Sequence, residues 1–190
     1  MRKLKLQVQL SVDGYVAGPN GEMDWMTWNM DDKLLQYITS ITDSSDTILL
    51  GRKMTDGFVT YWTNVLKTPE SPEYVFAKKM VDTKKVVFSR TLEKSTWANT
   101  VLAKGNLADE VVKLKQQAGK DIVVYGGAGF VSSLIKEGLI DEYHLFVNPA
   151  AIGNGMTIFK SLDKYQKLTL LSSTQYDCGI TVLRYKPIKD

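Results

Sequence analysis

The segment DIVVYGGAGFV at residues 121–131 decides the fold of this chain. Its first part, Ile122 to Tyr125, is apolar and β-branched or aromatic, which is typical of a short strand buried on both faces. Gly126, Gly127 and Gly129 follow, and apolar residues then recur at helical spacing. A strand, a glycine-rich turn and a helix in this order predict an α/β fold. They also aim free backbone N–H groups at one point, where phosphate is the usual ligand.

The spacing of these glycines differs from two well-known phosphate-binding motifs. Read from Gly127, it gives G-x-G-x-x-S and ends on Ser132, and no acidic residue follows about twenty positions later to bind a ribose. No Gly-Lys-Ser/Thr sequence follows, so the segment is not a P-loop. Two interpretations stay open: a phosphate-binding turn, or a tight turn that needs glycine for positive φ and close packing.

The composition is that of an ordinary globular protein. The 190 residues are 44% hydrophobic and 24% charged, with a net charge of +3. One cysteine, Cys178, and one histidine, His144, exclude an internal disulfide and argue against a zinc site. The sequence shows no dense basic block, no apolar signal core and no apolar run of membrane-spanning length. We therefore expect one cytoplasmic domain over residues 1–190 that holds no metal and binds neither nucleic acid nor membrane.

Strands and helices alternate along most of the chain. Residues from Leu4 to Val12 alternate apolar and polar, as in a strand with one buried face. Leu168 to Asp177 and Ile180 to Tyr185 have the pattern of an antiparallel hairpin. Helical spacing predicts a helix from Asp31 to Thr42, among others between the strands. Together these patterns predict one mixed sheet, parallel in its middle and antiparallel at its C-terminal edge.

A second strand–glycine–helix transition occurs at Gly51, where Arg52 and Lys53 open the helix. Cations oppose the dipole at a helix N-terminus, so an anionic ligand would explain them. Two solvated side chains are the alternative, since Lys and Arg are common on surfaces. A further strand ends directly before the Ser-Arg-Thr segment at residues 89–91. The carboxyl edge of an open α/β sheet is where ligands bind, and all these segments are predicted to lie there.

Two aromatic groups stand outside the predicted strands. Trp25 and Trp28 lie in the loop after the first strand, and Tyr61 and Trp62 follow the Gly51 transition. Loops normally stay polar because their backbone needs water. The loop tryptophans therefore either cover one end of the core or line a pocket for a flat organic ligand.

Several segments taken together resemble one family. They are SxDGYxAGPxG at residues 11–21, LLGRK at 49–53, VFSRT at 87–91, YGGA at 125–128, and GLIDEY at 138–143 with the Asn-Pro pair at 148–149. In this order they resemble the dihydrofolate reductase-like superfamily. Within it, they more closely resemble the C-terminal reductase domain of the riboflavin-biosynthesis deaminase–reductase, a branch with stand-alone members. The resemblance implies a mostly parallel mixed sheet of about eight strands with flanking helices.

The same resemblance implies an NADPH-dependent oxidoreductase that forms a homodimer. It places Gly51, Arg52 and Lys53 on the cofactor phosphates, Ser89, Arg90 and Thr91 on the adenosine 2′-phosphate, and Gly126, Gly127, Ala128 and Gly129 around the pyrophosphate. The Gly126–Gly127 bond is expected to be cis. The loop from Val16 to Gly21 corresponds to a mobile loop that closes on the nicotinamide, and Lys104 lies near contacts on the adenosine side.

The catalytic residue is less well defined. Dihydrofolate reductases carry a carboxylate on the helix after the mobile loop, and Asp32 is nearest to that place, with Asp31 beside it. Both could instead be there because the helix dipole favours them. We expect His144 to be a structural strand residue. No metal motif of a deaminase domain precedes the reductase-like region.

We expect hydride transfer to a C=N or C=O carbon of a small heterocyclic or sugar-linked substrate. Trp25, Trp28, Tyr61 and Trp62 are the predicted pocket residues, with Asp32 as proton relay. A true dihydrofolate reductase and a non-enzymatic nucleotide-binding protein are the alternatives.

Overall fold

The computed structural model describes residues 1–188, which form one eight-stranded sheet and five helices. The strands are β1 (Leu4–Leu10), β2 (Ser45–Gly51), β3 (Lys84–Phe88), β4 (Thr100–Ala103), β5 (Asp121–Gly126), β6 (Glu142–Val147), β7 (Leu168–Gln175) and β8 (Thr181–Pro187). The helices are α1 (Asp32–Asp43), α2 (Arg52–Val65), α3 (Tyr74–Asp82), α4 (Leu107–Gln116) and α5 (Ala128–Lys136).

The sheet has the strand order β4-β3-β2-β5-β1-β6-β8-β7. All pairs from β4 to β6 are parallel, whereas β6 with β8 and β8 with β7 are antiparallel. The predicted mixed sheet with an antiparallel C-terminal edge is thus confirmed. The segment at residues 121–131 supplies β5, a central strand between β2 and β1.

Helices cover both faces of the sheet because the strands carry apolar side chains on both. Leu4 and Leu6 of β1 belong to the core that contains α4 and α5. Ile48 and Leu50 of β2 belong to a second core with α1 and α3, against which Phe58 of α2 packs. Helices α2 and α5 therefore lie on opposite faces of the sheet.

Side chains cap the starts of two helices. Asn106 caps α4, and its side-chain oxygen accepts from the N–H groups of Ala108 and Asp109. Asp31 is the N-cap of α1, and its Oδ1 accepts from Leu34 N at 3.0 Å. The helix predicted from Asp31 therefore begins one residue later, because Asp31 stays extended to cap it.

A buried polar cluster lies between α1 and the strands β6 and β8. The hydroxyl of Tyr37 lies 2.6 Å from His144 Nδ1, and Glu142 Oε1 lies 2.9 Å from His144 Nε2. Arg184 donates to the same Glu142 oxygen at 2.7 Å. Burial raises the pKa of Glu142, but hydrogen bonds and charges from His144 and Arg184 outweigh it and hold that pKa well below its ordinary value. His144 thus contacts the side chains that join the sheet to α1, which agrees with a structural role.

Among residues 1–188, no helix combines the length and the apolar character that crossing a membrane requires.

Candidate functional site

Three of the predicted segments lie side by side at the carboxyl edge of the sheet. Strand β2 pairs in parallel with β3 on one side and with β5 on the other. Gly51 aligns with Phe88, and Leu50 aligns with Gly126. The turns that follow β2, β3 and β5 are therefore neighbours in space, as parallel strands require.

The helices α2 and α5 begin at this edge without caps. Their N-cap residues, Gly51 and Gly127, have no side chain to cap the helix, and neither first turn contains an acidic residue. By contrast, α1 and α4 have side-chain caps and acidic residues in their first turns. The first N–H groups of α2 and α5 are thus available to a ligand, and two positive dipole ends lie together. This arrangement favours an anion, and above all phosphate.

The two helix starts approach so closely that only glycine fits between them. A Cβ added to Gly51 would lie 2.8 Å from Phe130 Cβ and 3.3 Å from Gly127 N. Gly126 has a φ of +144°, and a Cβ there would lie 3.1 Å from Met54 Sδ. The Gly126–Gly127 peptide bond is cis, as the resemblance implies. Glycine is therefore needed for close packing, and that same packing brings the two uncapped helix starts together.

Cations surround this edge. Arg52 in the first turn of α2 is half-buried, and Lys53 beside it is exposed. Arg90 is exposed just beyond the end of β3. Lys104, beyond β4, is exposed and donates to the carbonyl oxygen of Glu93 at 3.1 Å. A polyanion at the helix starts would meet positive charge from more than one segment.

The turn after β3 is shaped by a buried serine. Ser89 is 6% exposed, and its Oγ accepts from Leu92 N at 3.1 Å and from Thr91 N at 3.4 Å. This local turn fixes the path of the segment that carries Arg90 and Thr91. The three predicted cofactor segments are thus brought to one place, although each was predicted from a separate part of the chain.

Tyr125 directly precedes the cis peptide bond in the chain. Tyr125 stacks on Phe58 of α2 with ring centroids 5.8 Å apart, and its hydroxyl lies 3.3 Å from Thr42 Oγ1. Burial raises the pKa of Tyr125 to about 12. The hydroxyl therefore stays protonated and can donate a hydrogen bond at neutral pH.

A family comparison matches most of this chain. The sequence model of the RibD C-terminal domain matches residues 2–182. The chain belongs to the RibD C-terminal domain family. It is 32% identical over 186 residues to the uncharacterized protein YyaP of Bacillus subtilis (strain 168), covering 97% of this chain and 94% of YyaP. The uncharacterized protein YwjB of the same organism is 27% identical over 175 residues, covering 92% of each chain.

Solved structures with the same fold include stand-alone and larger proteins. A putative riboflavin biosynthesis protein from Shewanella sp. PV-4 superposes with a TM-score of 0.72 at 21% identity, covering 100% of both chains. Acinetobacter baumannii RibD, form 1, gives 0.70 at 19% identity, covering 100% of this chain and 59% of that one. A diaminohydroxyphosphoribosylaminopyrimidine deaminase/5-amino-6-(5-phosphoribosylamino)uracil reductase from Thermotoga maritima gives 0.70 at 16% identity, covering 98% of this chain and 57% of that one. The dihydrofolate reductase-like fold predicted from the sequence is confirmed.

Tyr61 and Trp62, two of the four predicted pocket residues of this RibD-family chain, contact α3 and its N-cap residue. Trp62 packs edge-on against Tyr61 and Phe76, and Tyr61 donates to Glu73 at 3.0 Å. These contacts join α2 to α3. Within residues 1–188, neither side chain makes a ring contact with Trp25 or Trp28. Tyr61 and Trp62 remain predicted pocket residues.

The tryptophan loop is attached to the strand ends by a residue that the sequence interpretation left without a role. Asn148 is fully buried; its Oδ1 accepts from Thr27 N at 2.9 Å and its Nδ2 donates to Gln9 Oε1 at 2.8 Å. Trp28 is 64% exposed, and Trp25 is half-buried. The only sequence signal for Asn148 was its place in a motif shared with the RibD-like family. These two tryptophans remain predicted pocket residues.

Asp32 lies on the outer side of α1. It is exposed and lines a shallow groove with Gln36 and Ser40, whereas Leu34 and Ile38 face the core. Its role as a proton relay stays a prediction, and no residue of the glycine turns lines this groove. Asp31 has a structural role. Besides capping α1, its Oδ2 accepts from the N–H of Cys178 at 3.1 Å. The hydrogen bond from the N–H of Leu34 lowers the pKa of Asp31.

The loop predicted to close on the nicotinamide is held at its base. Val16 N donates to Met156 O, and Met156 N donates to Ala17 O, both at 2.8 Å. Pro19 and Asn20 at the loop tip are exposed. Movement of this loop, the homodimer and the cytoplasmic location stay predictions.

The contacts of two residues near this edge, Asp56 and Trp97, were not predicted from the sequence. Asp56 Oδ2 accepts from Arg52 Nη1 at 2.9 Å, and Asp56 Oδ1 accepts from Trp97 Nε1 at 3.0 Å. The spacing of Asp56 four residues after Arg52 is a signal that could have been recognised. Trp97 lies in the long β3–β4 connection, where no sequence pattern predicts its contacts.

Proposed function

We propose that this protein is an NADPH-dependent reductase of small heterocyclic or sugar-linked substrates, with pyrimidines as the first class to test. The observation that carries the proposal is the pair of uncapped helix starts at Gly51 and Gly127, which lie side by side and are free of acidic residues. Membership of the RibD C-terminal domain family supports an oxidoreductase. A reductase named for an aminouracil among the structural relatives supports the substrate class.

The chain's own residues would bind and orient the cofactor. The N–H groups that begin α2 and α5 would bind the pyrophosphate, with Arg52 and Lys53 neutralising its charge. The segment from Ser89 to Thr91 would take the adenosine 2′-phosphate, chiefly through Arg90. A cofactor held there would supply a hydride to the C=N or C=O carbon of the substrate and become NADP⁺, and the substrate nitrogen or oxygen would gain a proton.

The protein's further contribution would be positioning and exclusion of water. The loop that holds Trp25 and Trp28 is fixed to the strand ends by Asn148 and would cover the reacting atoms. Asp32 is the proposed relay only on the strength of the resemblance. A dihydrofolate reductase would need a carboxylate in contact with the substrate ring, and this alternative would depend on the same exposed Asp32.

The proposal is tested by following NADPH oxidation against a panel of substrates. We expect turnover with at least one ribosylaminopyrimidine and none with dihydrofolate. Methotrexate-sensitive turnover of dihydrofolate would establish the first alternative instead. Tight NADPH binding without turnover across the panel would favour the non-enzymatic alternative.

A further inference from the structure

We propose that Trp97 and Asp56 are positioning residues that hold the guanidinium of Arg52 ready for a phosphate of the nucleotide. This inference rests on the proposed function and goes beyond it, since it assigns a role to two residues outside the glycine turns. The three side chains are called the arginine clamp below.

The arginine clamp is a closed set of contacts. Arg52 Nη1 donates to Asp56 Oδ2 at 2.9 Å, and Trp97 Nε1 donates to Asp56 Oδ1 at 3.0 Å. The Arg52 guanidinium carbon lies 5.2 Å from the centroid of the Trp97 ring. The guanidinium is therefore fixed by one bond in its plane and by one contact on its face.

The clamp leaves part of the guanidinium available. Across residues 1–188, the hydrogen-bond acceptor of Arg52 is Asp56, reached through Nη1. The nitrogens Nε and Nη2 thus keep their N–H groups for a ligand, and a guanidinium can bind phosphate through two such groups at once. A free arginine would lose side-chain entropy on binding, whereas a clamped arginine has already lost most of it.

The arginine clamp also lies next to the proposed nucleotide site. Arg52 opens α2 at the uncapped edge, and cations are disfavoured there by the helix dipole. Trp97 belongs to the β3–β4 connection, which begins with the segment proposed to bind the 2′-phosphate. Trp97 also packs against the second core, but that packing does not require its Nε1 to reach Asp56. An isolated surface ion pair contributes little to stability, so stability alone does not account for a carboxylate that meets both the indole and the guanidinium.

The test is a double-mutant cycle on binding of 2′,5′-ADP and NADPH, measured by calorimetry. We expect Trp97→Leu to weaken the binding of both ligands about five- to tenfold. Without the indole, the Arg52 guanidinium would lose side-chain entropy when it binds. We expect Trp97→Leu to have no further effect in an Arg52→Ala background, since the indole acts through Arg52. Trp97→Phe keeps a ring face and should lie between wild type and Trp97→Leu.

A control is Tyr165→Leu, which removes an aromatic ring that is 87% exposed just before β7, the outermost strand on the side of the sheet away from β4. It should bind as wild type does, and thermal unfolding should show that every variant is folded. Unchanged affinity in Trp97→Leu, or full additivity with Arg52→Ala, would overturn the clamp while leaving the reductase proposal intact. Failure of wild type to bind either ligand would overturn both.

Discussion

Replacing Gly51 by alanine tests the geometry on which the site depends. The backbone of Gly51 has φ −72° and ψ 140°, which alanine adopts without strain. The added methyl, however, would lie 2.8 Å from Phe130 Cβ and 3.3 Å from Gly127 N. Carbon atoms prefer about 3.5–4.0 Å, so the start of α5 must move by roughly 1 Å relative to α2. Such overpacking costs about 1–3 kcal/mol of unfolding free energy.

The matched control is Gly57→Ala in the interior of the same helix. A Cβ there meets nothing within 4 Å, so the change should raise the unfolding free energy by about 0.5–1 kcal/mol. Urea unfolding of the two variants should therefore shift the midpoint in opposite directions. Gly51→Ala should also bind NADPH at least about tenfold more weakly, because the displaced N–H groups at the helix starts would no longer have hydrogen-bond geometry to the phosphates. If both variants were equally stable, the close approach of the two helix starts would be refuted. If Gly51→Ala bound NADPH as wild type does, the role of these helix starts in binding phosphate would be refuted.

Three further predictions concern single side chains. Arg90→Ala should weaken the binding of NADPH about ten- to a hundredfold, which corresponds to the loss of one charge-assisted hydrogen bond, and should leave the binding of NADH nearly unchanged. Equal losses of affinity for the two cofactors, measured by calorimetry, would reject the assignment of Arg90 to the 2′-phosphate. Lys85 is 2% exposed and burial lowers its pKa to about 8, so wild type should gain stability as pH rises from 8 towards 10.5, by at most about 3 kcal/mol. Urea titrations should show this gain missing in Lys85→Met, and an identical pH profile in both would contradict it. Glu142→Gln should lower the unfolding free energy by about 3 kcal/mol at neutral pH. Because the folded pKa of Glu142 is depressed, that loss should shrink as pH falls below about 4.3, and a pH-independent difference would count against the buried pairing.

The sequence predicted the sheet well because its signals were local. Alternation from Leu4 onward and the apolar run at Ile122 each fix a strand by themselves. Parallel order then brings the turns at Gly51 and Gly126 to one edge without further information. The three cofactor segments could therefore be predicted together before any distance was known.

Side-chain direction in the loops and helix ends could not be predicted in the same way. Asp32 was predicted to lie on a helix, and it does, but no sequence pattern indicated which side of α1 it would face. The packing of Trp62 on Phe76 of α3 was not predicted, because it depends on how α2 and α3 meet. The contact of Trp97 with Arg52 depends on the path of a long connection, which no periodic pattern fixes.

The most direct test of the central claim is calorimetric titration of the wild-type protein with NADPH and NADH side by side. We expect micromolar binding of NADPH with a clear preference over NADH, because the cofactor phosphates would meet two uncapped helix starts and the 2′-phosphate would meet Arg90. Absence of binding by either nucleotide would contradict it: the glycine turns would then serve packing alone.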